Sequence, residues 1–150
     1  MIANLKRYYS AVAVLAIFLT VGIFTGCGNS DKKYEQKCIE AKGALGSHQY
    51  DHAVELLQEG AQNGHVQSQA CLGVAYMMLN RQAEGAQWIR KAAEAGDTLS
   101  QFNIALCYNH GVGVPKNGDE ALFWGKKAEE NGIENATLRL VFSSGPTFRY

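Results

Sequence analysis

The most reactive side chains in this chain are four cysteines: Cys27, Cys38, Cys71 and Cys107. A thiol can carry an acyl group, close a disulfide, or attack as a nucleophile once ionised. Cys27 follows Gly26, whose lack of a side chain suits the narrow pocket of a processing enzyme. Cys71 and Cys107 fall inside apolar helical stretches, where a thiolate is disfavoured. Neither has an evident base at a useful spacing, so nucleophilic catalysis is not expected. If Cys27 is claimed by modification, three thiols remain. That odd number leaves at least one unpaired or bonded to another chain. An oxidising compartment would permit a disulfide; the plainer reading is three small buried apolar residues.

The histidines and acids offer less. His48 and His52 are four apart and could share a helix face as a metal pair, but Gly46-Ser47 puts His48 in a turn and no further ligand is suitably spaced. His65 and His110 stand beside glycines at helix ends, as solvated or capping residues. Asp119-Glu120 and Glu129-Glu130 are adjacent pairs, which point apart on a helix and form no acid–base couple. Gly111-x-Gly113 has no strand before it and no third glycine, so it reads as a turn rather than a phosphate loop. No metal or cofactor is expected.

Around Cys27 the order of residues is informative. Lys6 and Arg7 precede the apolar run Ala11 to Phe24, and Phe24-Thr25-Gly26-Cys27 closes it. Basic, apolar, then small residues is the order of a secretion signal. The run is short for a spanning helix, and Gly28-Asn29-Ser30-Asp31-Lys32-Lys33 ends it sharply. The segment resembles a bacterial lipoprotein signal, with Phe24 where a Leu is usual. The resemblance implies cleavage of residues 1–26, acylation of Cys27 and a membrane anchor facing the periplasm. Gly28 after the cysteine favours the outer over the inner membrane by the same analogy. An uncleaved anchor and an ordinary signal peptide are the alternatives. The remaining 124 residues carry 12 basic against 14 acidic side chains, a net charge of −2. That gives no footprint for nucleic acid and the size of one domain.

The elements that position these residues repeat. Gln69 and Gln101 correspond at a spacing of 32, as do Tyr76 and Tyr108. Trp88 matches Trp124 and Gly96 matches Gly132 at a spacing of 36. The four extra residues fall in Gly111-Val112-Gly113-Val114-Pro115-Lys116, a loop, where a two-helix repeat tolerates insertion. Ala53, Leu56 and Gly64 mark a weaker earlier copy, and small residues at 53, 73, 85, 105 and 121 allow close helix contacts. Gly64, Gly96 and Gly132 sit where a helix must stop in a left-handed cap.

The stretch from Gln101 to Gly132, with its Gly-Val-Gly-Val-Pro loop, Asp119, Ala121, Trp124 and Lys126-Lys127-Ala128, resembles the Sel1-like repeat, a relative of the tetratricopeptide repeat. Residues 66–96 match in the helices but lack the loop; residues 34–64 match loosely. The resemblance implies an all-α fold, a short right-handed α-solenoid of antiparallel helix pairs. The expected order is a signal at 1–26, a flexible spacer at 27–33 and a helical domain at 34–142. That domain would hold copies at 34–64, 65–96 and 97–132, a capping helix at 134–142, and then an irregular tail at 143–150.

In related repeats the first helix of each pair lines the concave side. Val74, Met77, Phe102 and Leu106, with Asn109 at the edge, would then form an apolar partner-binding strip. The alternative is that some of them are core. Family members are mostly adaptors, which implies a non-enzymatic, membrane-anchored module binding another protein. A sharper version is an immunity protein that neutralises a secreted toxin such as a lipase. An enzyme acting on cell-wall compounds or β-lactams is the remaining alternative.

Overall fold

Apolar residues spaced for helices, separated every dozen or so positions by a residue fit for a left-handed turn, leave the chain one arrangement: short helices folded back on one another. The computed structural model describes residues 30–141 and 148. The chain divides into two units, 1–33 and Tyr34–Tyr150, and the repeats lie in the second. The expected signal and Cys27 lie outside the described residues.

Helix α1 covers residues 30–46. It is followed by α2 (Tyr50–Gln62), α3 (Val66–Met78), α4 (Gln82–Glu94), α5 (Thr98–His110), α6 (Gly118–Glu130) and α7 (Ala136–Val141). Residues 30–33, expected in a flexible spacer, are instead helical. Among the described residues there is no strand, and no helix is long and apolar enough to cross a membrane. From α2 onward each helix packs chiefly on its sequence neighbours.

The helices are of two kinds. In α3 and α5 nine of 13 residues are buried, on nearly every side, because other helices flank them. In α2, α4 and α6 only four or five are buried, along a single stripe. Two clusters form the interior. One runs from Cys38 and Leu45 through Leu57 to Leu72 and Tyr76; the other runs from Met77 and Ile89 through Ile104 and Trp124 to Leu140.

Turn chemistry fixes the connections. Gly64, Gly96 and Gly132 have φ of +83°, +98° and +106°. After each, the next amide reaches back over the turn: His65 N to Gly60 O at 2.9 Å, Asp97 N to Ala92 O at 3.0 Å, and Ile133 N to Ala128 O at 2.9 Å. These bonds satisfy carbonyls that a helix end leaves open. Within the first two pairs the same turn is closed by His48 and Asn80, both at φ +60°. The third pair uses Gly111 and the longer loop, whose Val112 and Val114 pack against the core.

Small residues set the helix spacing. A Cβ on Gly85 would stand 2.8 Å from Gly73 O, and one on Gly73 would stand 2.8 Å from Ile89 N. The α3 and α4 backbones therefore touch.

Candidate functional site

The expected partner-binding strip is not open. Val74, Met77, Phe102 and Leu106 are 1%, 8%, 4% and 2% exposed. Met77 turns into the α3–α4 contact, where its Cγ would meet a Cβ on Gly85 at 2.9 Å. Phe102 lies under the guanidinium of Arg139, 4.6 Å from its ring centre. Phe102 and Leu106 both belong to the second interior cluster. Asn109 is half-buried and donates to Leu140 O at 2.9 Å, tying α5 to the end of α7. Helical periodicity marked these side chains as inward-facing; it could not show that α7 and neighbouring side chains would cover them.

The thiols behave as core. Cys38, Cys71 and Cys107 are buried and free. Burial pushes the Cys107 thiol up to about 12. It also raises Cys71 and Cys38, with Gln67 and Ser68 opposing it in turn through hydrogen bonds. A thiol held protonated this way is a poor nucleophile.

The histidines separate rather than converge. His48 Nδ1 lies 2.7 Å from the Tyr50 hydroxyl. His52 faces Glu40 at 4.0 Å and Glu55 at 3.8 Å. Among the described residues no group of three potential metal ligands comes together. Glu129 accepts from Thr137 N at 2.9 Å and from its hydroxyl at 2.6 Å, and these bonds lower its proton affinity. Glu120 accepts from Trp124 Nε1 at 3.2 Å. Both acids are committed to structure.

Two polar features went beyond the sequence expectation. Gln69 and Gln101 each donate to a carbonyl of the preceding helix, Ala61 O at 3.2 Å and Ala93 O at 3.3 Å. Gln101 also accepts from Asn131 Nδ2 at 2.9 Å. The 32-residue recurrence of these glutamines was the signal for that shared job. The second feature is a chain of contacts from Cys38 to Ser68 (3.2 Å) to His65 Nδ1 (2.9 Å), which joins α1 to the start of α3. No spacing rule flagged it, because its members come from different repeats.

Outward, Leu122 and Phe123 of α6 remain about half exposed. Lys127 Nζ stands 5.7 Å from the centre of the Phe123 ring. A shallow depression lies between Phe123, Lys126, Lys127 and Glu130.

This architecture has relatives. The family model for the Sel1 repeat matches residues 41–65, 68–97 and 98–133. The solved structure of a Sel1 repeat protein from Oxalobacter formigenes is similar over 81% of this chain and 97% of that one, at 25% identity and a TM-score of 0.60. The mouse DAP3-binding cell death enhancer 1 is 32% identical over 117 residues, 73% of this chain and 23% of that protein. The F-box protein At1g70590 of Arabidopsis thaliana is 34% identical over 91 residues, 61% of this chain and 25% of that protein. The chain thus spans about a quarter of the length of these curated relatives. Three successive matches, in register with the helix pairs, place the chain in the Sel1 repeat family.

Proposed function

We propose that this chain is a membrane-tethered, periplasmic protein-binding module that acts by stoichiometric association. Sel1 repeats are protein–protein interaction modules. The observation that carries the reading is their position: repeats filling residues 41–133 follow closely on a segment ending in Gly26-Cys27. The names of two relatives, a DAP3-binding protein and the chitin synthase regulator SKT5 of Saccharomyces cerevisiae, point to binding and regulation of other proteins. In this reading Cys27 carries the acyl anchor, and anchoring raises the effective concentration for partners at the same membrane.

The test has two arms. The full chain, expressed in bacteria fed labelled palmitate, takes up label and fractionates with membranes, whereas Cys27→Ser does neither. An unlabelled wild-type chain would remove the anchor from the proposal. Detergent-solubilised protein, purified at native levels, carries a second protein at fixed stoichiometry by light scattering. If the protein is alone and instead turns over a chromogenic β-lactam, binding is the wrong class. Death on deleting this gene, rescued by deleting a neighbouring toxin gene, would identify the partner as an effector.

A further inference from the structure

Helices α3 and α5 start alike but are capped by different chemistry. Gly64-His65-Val66-Gln67-Ser68-Gln69 and Gly96-Asp97-Thr98-Leu99-Ser100-Gln101 are matched segments 32 residues apart. In the later one a carboxylate oxygen of Asp97 accepts from Ser100 N at 2.7 Å. In the earlier one the acceptor is an imidazole: His65 Nδ1 accepts from Ser68 N at 3.3 Å. The same nitrogen lies 2.9 Å from Ser68 Oγ and 3.9 Å from Cys38 Sγ. To accept the amide, Nδ1 must be the ring nitrogen without a proton. The Ser68 hydroxyl then donates to Nδ1, and the Cys38 thiol, 3.2 Å from Ser68 Oγ, donates to that oxygen.

We propose that His65 is a proton-operated cap, which holds the first turn of α3 and its link to α1 while neutral and releases both when the imidazole takes a second proton. An imidazolium has two donors and no acceptor. Its Nδ1–H would point at the Ser68 amide, and its charge would sit at the positive end of the helix dipole. The surroundings offer little compensation. From α1 come the Tyr34 ring, 5.7 Å away centre to centre, and the Cys38 thiol. Burial keeps that thiol protonated. From the end of α2 comes Asn63, bonded to the Tyr34 hydroxyl at 2.9 Å, and the Glu59 carboxylate, held by Lys37 at 2.8 Å. Among the described residues no carboxylate pairs with His65. Protonation thus removes a cap from the folded chain and nothing from the unfolded one. The sign follows: this contribution is present at higher pH and is lost as pH falls through the range where imidazoles charge, between about pH 8 and 5. Asp97 makes the matched start of α5 insensitive over that range.

The test compares melting of the full chain with H65N, whose side-chain oxygen caps at any of these pH values. Between pH 7.5 and 5.5 the wild type should lose about 4 °C more than H65N, the shift expected for one lost cap in a domain of this size. Amide exchange in the first turn of α3 should rise over the same interval, with the first turn of α5 unchanged. Equal losses for wild type and H65N would overturn the proposal. Should H65N fail to fold at pH 7.5, H65D, with the acid of the matched position, takes its place. The reciprocal D97H should acquire the pH dependence at α5, and a pH-independent D97H would also overturn it.

Discussion

At the scale of the residue, the thiols are the side chains whose chemistry the fold changes most. A thiol raised above its ordinary value stays protonated in the fold after the unfolded chain has begun to ionise. Stability from Cys107 is therefore complete below about pH 9 and is lost as pH rises toward about 12. A three-unit rise corresponds to ~4 kcal/mol at most, a large share of a typical domain's 5–15 kcal/mol. Urea midpoints between pH 8 and 11 should fall steeply for the wild type and less steeply for Cys107→Ala. Accessibility gives a second check. Native protein whose Cys27 is replaced by Ser should react slowly with a thiol reagent at pH 8, and three thiols should react at once in guanidinium. Fast native reaction at Cys71 or Cys107 would contradict their burial.

At the scale of the element, two glycines with the same side chain have opposite roles. Gly43 lies within α1 with nothing inside 4 Å of a Cβ. Gly43→Ala should stabilise by about 0.5–1 kcal/mol, because alanine loses less backbone freedom in a helix. Gly85 faces the Gly73 carbonyl, so Gly85→Ala forces α3 and α4 apart and should cost ~2 kcal/mol or more. Urea denaturation of the two variants reads both signs. Much of this was legible in the sequence. Gly73 and Gly85 stood out as small residues at matched places, and the stops at 64, 96 and 132 followed from glycine itself. The strip was not legible. Val74, Phe102 and Leu106 share a face with the right composition for a groove, but composition does not reveal what covers a face. Arg139 over Phe102 and Asn109 bonded to Leu140 O are contacts over 30 or more residues. His65 escaped for a related reason: a histidine beside a glycine is ordinary until Ser68 and Cys38 converge on it.

At the scale of the whole molecule, stability is a sum over neighbours, because each pair of helices can bury its face only against the next. Residues at the end of the stack should therefore act locally. Leu140 is buried on α7 against the second cluster. Leu140→Ala should cost about 2–5 kcal/mol. Hydrogen exchange should show the loss concentrated in α5 to α7, with α1 and α2 nearly unchanged. Uniform loss of protection along the chain would mean that the described helices unfold as one cooperative block.

The contact between Gly73 and Gly85 has a mechanical consequence. Where most neighbouring helices meet through side chains that can tilt and slide, α3 and α4 meet backbone to backbone. That joint has little compliance, so under tension the stack would behave as a stiff central plate with softer springs on either side. Pulled from its ends, the chain should lengthen in steps, and the step belonging to the central plate should come last and at the highest force.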